Sequence, residues 1–173
     1  TGAGRGIGLA AAAALADAGA EVTLAARTRP QLEALAEAIR ARGGRAEPMV
    51  LDVTDSAAVA RAFAESAPFE ILVNNAGTNR PRLMTDTSDE DLDAIVDLNV
   101  KAAYRVAREW ARALLPAGRP GSLINVSSQM GHVGGMKRTV YCASKHAIEG
   151  FTKALAWELG PAGIRVNSLC PTF

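Results

Sequence analysis

The chain has 173 residues and a mass of 18.0 kDa, the size of one domain. Apolar residues make up 49% and charged residues 21%, which suits a packed core and excludes a disordered chain. A net charge of +1 offers no basic surface for nucleic acid or an anionic membrane, and no apolar run reaches the ~20 residues of a membrane span. Two cysteines, Cys142 and Cys170, have neither metal-ligand spacing nor the number for a disulfide framework. Both are expected to be small buried apolar residues, in keeping with a reducing cytoplasm.

The opening TGAGRGIG holds glycine at 2, 4, 6 and 8. Glycines let a backbone turn tightly and approach a pyrophosphate. An alanine-rich helical run over 9–18 follows, whose free N–H groups and positive dipole end suit an anion. The strict GxGxxG spacing is not met, because Ile7 stands at its last position; Gly2-xxx-Gly6-x-Gly8 is present instead. A strand is predicted over 21–26, then a helix over 30–42 with Leu32, Leu35, Ala36 and Ile39 on one face, stopped by Gly43 and Gly44. A strand over 46–53 comes next, and Thr54 or Asp55 caps a helix reaching about Ser66. Residues 71–73 read as a buried strand running into Asn74. Ser88 caps one long helix over 89–115, closed by Pro116. A strand over 122–126 leads into Ser127 and Ser128. A helix over 139–159 ends at Gly160-Pro161, and a last strand covers 164–169.

This alternation predicts an α/β fold, a doubly wound parallel sheet with helices on both faces. Ligands bind such sheets at the carboxyl ends of the strands. Arg27, Asp52, Asn75, Ser128 and Pro171 all fall there.

The densest chemistry is in YCASK, where Tyr141 and Lys145 are four residues apart and share a helix face. A fixed positive charge beside a phenol favours the phenolate. A serine hydroxyl from another segment could hold a substrate oxygen beside that phenol. Ser128 is preferred to Ser127 for this, since neighbours on a strand point to opposite faces. Together these groups make a proton-transfer site for an alcohol or a carbonyl. No metal is expected, because no His/Cys/Asp cluster stands out in the sequence.

With these motifs in this order, the chain resembles the short-chain dehydrogenase/reductase family along nearly its whole length. TGAGRGIG resembles the family's TGxxxGxG loop, and Asn74-Asn75-Ala76-Gly77 its NNAG motif. Asn99, Ser128, Tyr141 and Lys145 match its Asn-Ser-Tyr-Lys tetrad. The resemblance implies a Rossmann-type fold and hydride transfer between a nicotinamide cofactor and an alcohol or ketone. It implies cofactor contacts from Gly2, Gly6, Ile7, Gly8, Asn75, Ala76, Gly77, Tyr141, Lys145 and Pro171, with Asp52 and Val53 at the adenine. Ser128 would hold the substrate oxygen, Tyr141 act as acid/base, and Lys145 bond the nicotinamide ribose. Asn99, by itself a helix-surface amide, would perturb its helix and hold a water with its main chain. The resemblance also implies a homodimer or homotetramer paired through two long helices, and a small-molecule alcohol or ketone as substrate. Within the family the stretches 124–135 and 141–150 look most like sugar-acid or polyol dehydrogenases, which could be NAD-dependent, or 3-oxoacyl-carrier reductases. A non-catalytic dinucleotide-binding protein is the alternative of another class.

Both ends are expected to be cut. The chain opens on the glycine loop without the strand that should deliver it, which would be the middle strand of the sheet. Similar proteins continue past Phe173 with a substrate-covering segment. They also commonly carry Pro-Gly where this chain has Pro171-Thr172.

Cofactor choice is read at Ala25-Ala26-Arg27. An NAD-preferring protein usually places an acid there for the ribose 2′-OH. Here Ala26 occupies that slot, and Arg27, helped by Arg5, can grip a 2′-phosphate. NADP(H) is therefore favoured, with NAD(H) possible. His132 could touch substrate or be a solvated loop histidine. His146, about 100° round the helix from Lys145, is expected in packing. Trp110, Trp157 and Phe151 are expected in the core or an interface.

Overall fold

The computed structural model describes residues 1–172, which divide into two compact units, Thr1–Val53 and Thr54 onward.

The first unit is α1 (Gly6–Asp17), β1 (Glu21–Ala26), α2 (Arg29–Ala41) and β2 (Arg45–Val50). Alanine, the strongest helix former, fills α1. Both helices stop at a glycine with positive φ, Gly19 at 94° and Gly43 at 84°. At the first stop, Ala20 N–H donates to Leu15 O and Gly19 N–H to Ala16 O; at the second, Gly44 donates to Ile39 O and Gly43 to Arg40 O. These paired bonds are Schellman caps, which satisfy the last carbonyls and turn the chain into the next strand. β1 and β2 pair in parallel, Glu21 opposite Arg45 through Ala26 opposite Val50. Leu24, Leu32, Ala36, Ile39 and Ala46 close the core of this unit.

The second unit contains α3 (Ser56–Ala64), β3 (Ile71–Asn74), α4 (Asp89–Val96), α5 (Ala103–Leu114), β4 (Gly121–Val126), α6 (Thr139–Leu159) and β5 (Ile164–Leu169). The three strands form one parallel sheet in the order β3-β4-β5. The Asp55 carboxylate accepts from Ala57 N–H and Ala58 N–H at 2.9 Å, which makes it the cap of α3 rather than Thr54. Ser88 caps α4 as the sequence suggests, accepting from Asp91 N–H at 3.1 Å. Trp110 is fully buried among Val106, Leu114 and Leu123, and its indole N–H donates to Phe69 O at 2.8 Å. Gly121 faces it closely: a Cβ there would lie 2.4 Å from Leu114 Cδ2.

Three expectations change. The single helix over 89–115 is interrupted by a π-helical segment over Asp97–Ala102. Propensity is blind to this, because no residue type breaks the run; tertiary bonds from Asn99 do. The strand over 46–53 stops at Val50, so Asp52 and Val53 belong to the loop that follows. His146 is exposed on α6, its Nδ1 2.9 Å from Cys142 O. Among the described residues, no helix is long and apolar enough to cross a membrane.

Candidate active site

In the first unit the glycine loop has the expected shape. Gly2 and Gly6 have φ of 66° and 56°, which only glycine adopts without strain. Nothing occupies the space within 4 Å of where a Gly6 Cβ would be. Gly4 is pressed against α2, where a Cβ would lie 2.6 Å from Gln31 Oε1. Arg5 is the extended N-cap of α1 and offers no side-chain cap, so the helix start keeps its positive end for an anion. Arg5 and Ile7 are exposed, and Gly8 is buried. Arg27 follows β1 directly, with 71% of its side chain exposed. The loop after β2 places Asp52 Oδ2 3.9 Å from Arg27 Nη1. The absence of an acid in the β1 slot therefore does not leave Arg27 without one nearby. The pair is loose and exposed, the type worth at most about 1 kcal/mol, so an incoming phosphate can compete with it. This donor set fits the diphosphate and the 2′-phosphate of a dinucleotide.

In the second unit Tyr141 and Lys145 stand together on α6. The lysine Nζ donates to Val126 O at 2.8 Å and lies 5.7 Å from the centroid of the Tyr141 ring. A Cβ on Gly77 would lie 3.8 Å from that Nζ and 3.2 Å from Asn99 Oδ1, so the NNAG turn passes close to both. Only 6% of Lys145 is exposed. Burial pulls its ammonium down from 10.5 to about 8, against partial support from Cys170 and Glu149.

Asn99 is buried rather than on a helix surface. Its Oδ1 accepts from Thr78 N–H at 2.8 Å, and its Nδ2 donates to Thr78 O at 2.9 Å and to Ser144 Oγ at 3.1 Å. Ser144 Oγ in turn donates to Tyr141 O at 2.7 Å. The amide thus ties the NNAG turn, the π segment and the first turn of α6 together. Ser144 was not singled out by the sequence, although it stands inside YCASK at helical spacing from Tyr141. Asn99→Leu is expected to cost about 2–4 kcal/mol, because it leaves the half-buried Thr78 N–H and C=O and the buried Ser144 hydroxyl without the amide. Urea unfolding would show a lowered midpoint at unchanged slope.

Ser128 is extended and half-buried, and its Oγ accepts from Met130 N–H at 3.1 Å. Its hydroxyl hydrogen remains available for another acceptor. Ser127 turns inward, as the alternation of strand faces predicts, with Oγ 3.5 Å from Lys145 O. Pro171 O accepts from Gln129 N–H at 3.0 Å, and Thr172 Oγ1 donates to Gln129 Oε1. The threonine that replaces the common glycine therefore joins the loop after Ser128. Asn75 and Ala76 are half-buried between β3 and Gly77.

Cys142 is buried as expected, but Cys170 is only half-buried, and its Sγ donates to Glu149 Oε1 at 3.3 Å. His132, Glu149 and Cys170 bring one ligand atom each within 4.8 Å of one another. Their separation in the chain hid this cluster, and nothing in the sequence marked Glu149.

The chain matches the family described as short chain dehydrogenase over residues 1–173. It is 41% identical over 172 residues to D-erythrulose reductase of Gallus gallus, covering 99% of this chain and 68% of that protein. It superposes on a short-chain type dehydrogenase/reductase from Mycobacterium marinum with a TM-score of 0.96, at 37% identity, covering 99% of this chain and 72% of that one. A gluconate 5-dehydrogenase from Burkholderia cenocepacia, in complex with NADP and tartrate, gives a TM-score of 0.94 at 33% identity, covering 99% and 68%. The fold is thus the doubly wound Rossmann type. The chain belongs to the short-chain dehydrogenase family, oxidoreductases that move a hydride between a nicotinamide cofactor and an alcohol or ketone.

Proposed function

We propose that this chain interconverts a small polyhydroxylated ketone and its secondary alcohol, with NADP(H) as cofactor and Tyr141 as acid/base. The observation that carries this reading is the buried Lys145 ammonium, held by Val126 O and aimed past the Tyr141 ring. When bound, NADP(H) supplies or accepts the hydride. Tyr141 gives a proton to the substrate oxygen in reduction and takes it back in oxidation. Lys145 favours the phenolate by its charge. Ser128 donates its free hydroxyl hydrogen to the same substrate oxygen. Asn99 acts through Ser144, which fixes the backbone of Tyr141. Gly2, Gly6, Ile7 and Gly8 line the phosphates, with Arg5 and Arg27 at the 2′-phosphate. Asp52 and Val53 meet the adenine, and Asn75, Ala76, Gly77 and Pro171 take the remaining cofactor contacts. NADP in the gluconate 5-dehydrogenase supports the cofactor, and that protein and D-erythrulose reductase support the polyhydroxylated substrate class.

Exposed aromatic groups on α5 and α6 support a homo-oligomer. Trp157 is 86% exposed, and the half-exposed Tyr104 ring packs tilted against Phe151, with centroids 5.3 Å apart. Free Cys142 and Cys170 fit a reducing cytoplasm.

Fluorescence titration with NADPH and NADH tests the reading directly. Tight NADPH and weak NADH are expected, followed by turnover of ketoses. NADH preference would overturn the role of Arg27, and binding of neither would overturn the enzyme reading. Arg27→Asp should weaken NADPH about 10–100-fold, the loss of a charge-assisted phosphate contact of about 1.5–3 kcal/mol, while NADH changes little. An unchanged preference would remove Arg27 from the site.

A further inference from the structure

We propose that His132, Glu149 and Cys170 form a binding site for one zinc ion. The three come from separate segments of the second unit. His132 follows the 3₁₀ turn after Ser128, Glu149 is one turn beyond Lys145 on α6, and Cys170 stands between β5 and Pro171. An imidazole, a carboxylate and a thiol are the three ligand types zinc favours. Zinc bonds of about 2.0–2.2 Å to nitrogen or oxygen and about 2.3 Å to sulfur place tetrahedral ligand atoms about 3.3–3.6 Å apart. Cys170 Sγ lies 3.4 Å from His132 Nε2 and 3.3 Å from Glu149 Oε1, and His132 Nε2 lies 3.6 Å from Glu149 Oε2. The two contacts to Glu149 use different oxygens, Oε1 toward Cys170 and Oε2 toward His132. With one ligand atom per residue the three lie within 4.8 Å of one another, so small side-chain rotations would bring them onto one tetrahedral face.

The carboxylate is also held as a ligand should be. Glu149 is only 6% exposed, and Ser168 Oγ donates to its Oε2 at 2.9 Å. Such outer hydrogen bonds orient a metal-binding oxygen. His132 is exposed, so the fourth position opens to water. On binding, the Cys170 S–H bond breaks, its proton goes to solvent, and an S–Zn bond forms. A dication with one thiolate, one carboxylate and a neutral imidazole gives a site of zero net charge. The ion would join the segments that carry Ser128, Lys145 and Pro171.

The test uses the full chain, stripped with a chelator and titrated with Zn²⁺, with Co²⁺ as a spectroscopic substitute. One zinc per chain is expected, with a raised Tm. Co²⁺ should give a thiolate charge-transfer band and the visible bands of a tetrahedral ion. His132→Ala, at an exposed position, and Cys170→Ala should each weaken Zn²⁺ more than about 100-fold, beyond the roughly 10–100-fold that losing a hydrogen bond to a ligand costs. Cys170→Ala should also lose the charge-transfer band. A wild-type Co²⁺ spectrum without that band would overturn the proposal. So would zinc binding equally to wild type and to folded His132→Ala.

Discussion

Tyr141→Phe is expected to lower kcat by about 10²–10⁴-fold, the range a positioned general acid contributes. The substitution removes one oxygen and leaves the ring where Lys145 Nζ meets it, 5.7 Å from the centroid. The NADPH affinity should therefore change less than threefold, and the urea midpoint should be nearly that of wild type. This separation of turnover from binding distinguishes a proton donor from a packing residue. Retained turnover in Tyr141→Phe would sink the assignment.

Lys145→Met should lower kcat and raise stability together. The ammonium lies 5.7 Å from the Tyr141 ring. At that range a unit charge is worth about 3 kcal/mol at an effective dielectric of ~20, which is about 100-fold in rate. In the folded chain without cofactor, the same charge is a liability. Its value falls from 10.5 to about 8, mainly through burial. That difference of 10.5 − 8 = 2.5 corresponds to about 3 kcal/mol of penalty near neutral pH. Loss of the bond to Val126 O returns about 1 kcal/mol or more, so a net gain of about 1–2 kcal/mol is expected, a few degrees in Tm. The pH dependence gives a second readout. Between about 8 and 10.5 the unfolded chain binds the proton that the folded chain has lost, so wild-type stability rises with pH across that window. Lys145→Met should flatten this rise. An equal slope in both proteins would show that Lys145 is charged and solvated in the fold.

The elements legible in the sequence are those whose signals are local. Thr139–Leu159 and Ile164–Leu169 fall where periodicity and the Gly160-Pro161 stop put them. Gly43 and Gly44 announced the end of α2, because only glycine adopts the left-handed angle a Schellman cap needs. What stayed hidden depends on distant partners. Asn99 looks like a surface amide until Thr78 and Ser144 surround it. Asp52 and Arg27 are both legible as strand-end residues, but only the pairing of β2 with β1 shows that they come within 3.9 Å of each other. Glu149 carries no motif and gains meaning only from Ser168, Cys170 and His132, which arrive from other segments.

The π segment over Asp97–Ala102 sets a rule for insertions and deletions. Its bonds reach from i to i+5 instead of i+4, so it accommodates one residue more than an α-helical path over the same height. Removing a single residue there would let α4 and α5 fuse into one regular helix. The residue lost would be the one the π turn holds in excess, so the helices on either side would keep their relative orientation. Ile95 would stay on the buried side with Val106 and Trp110, but Asn99 would leave Thr78. The cost of shortening this stretch would therefore fall on the bonds of Asn99, the same bonds that Asn99→Leu removes, whereas a loop glycine such as Gly134, with open space around it, should accept a side chain readily.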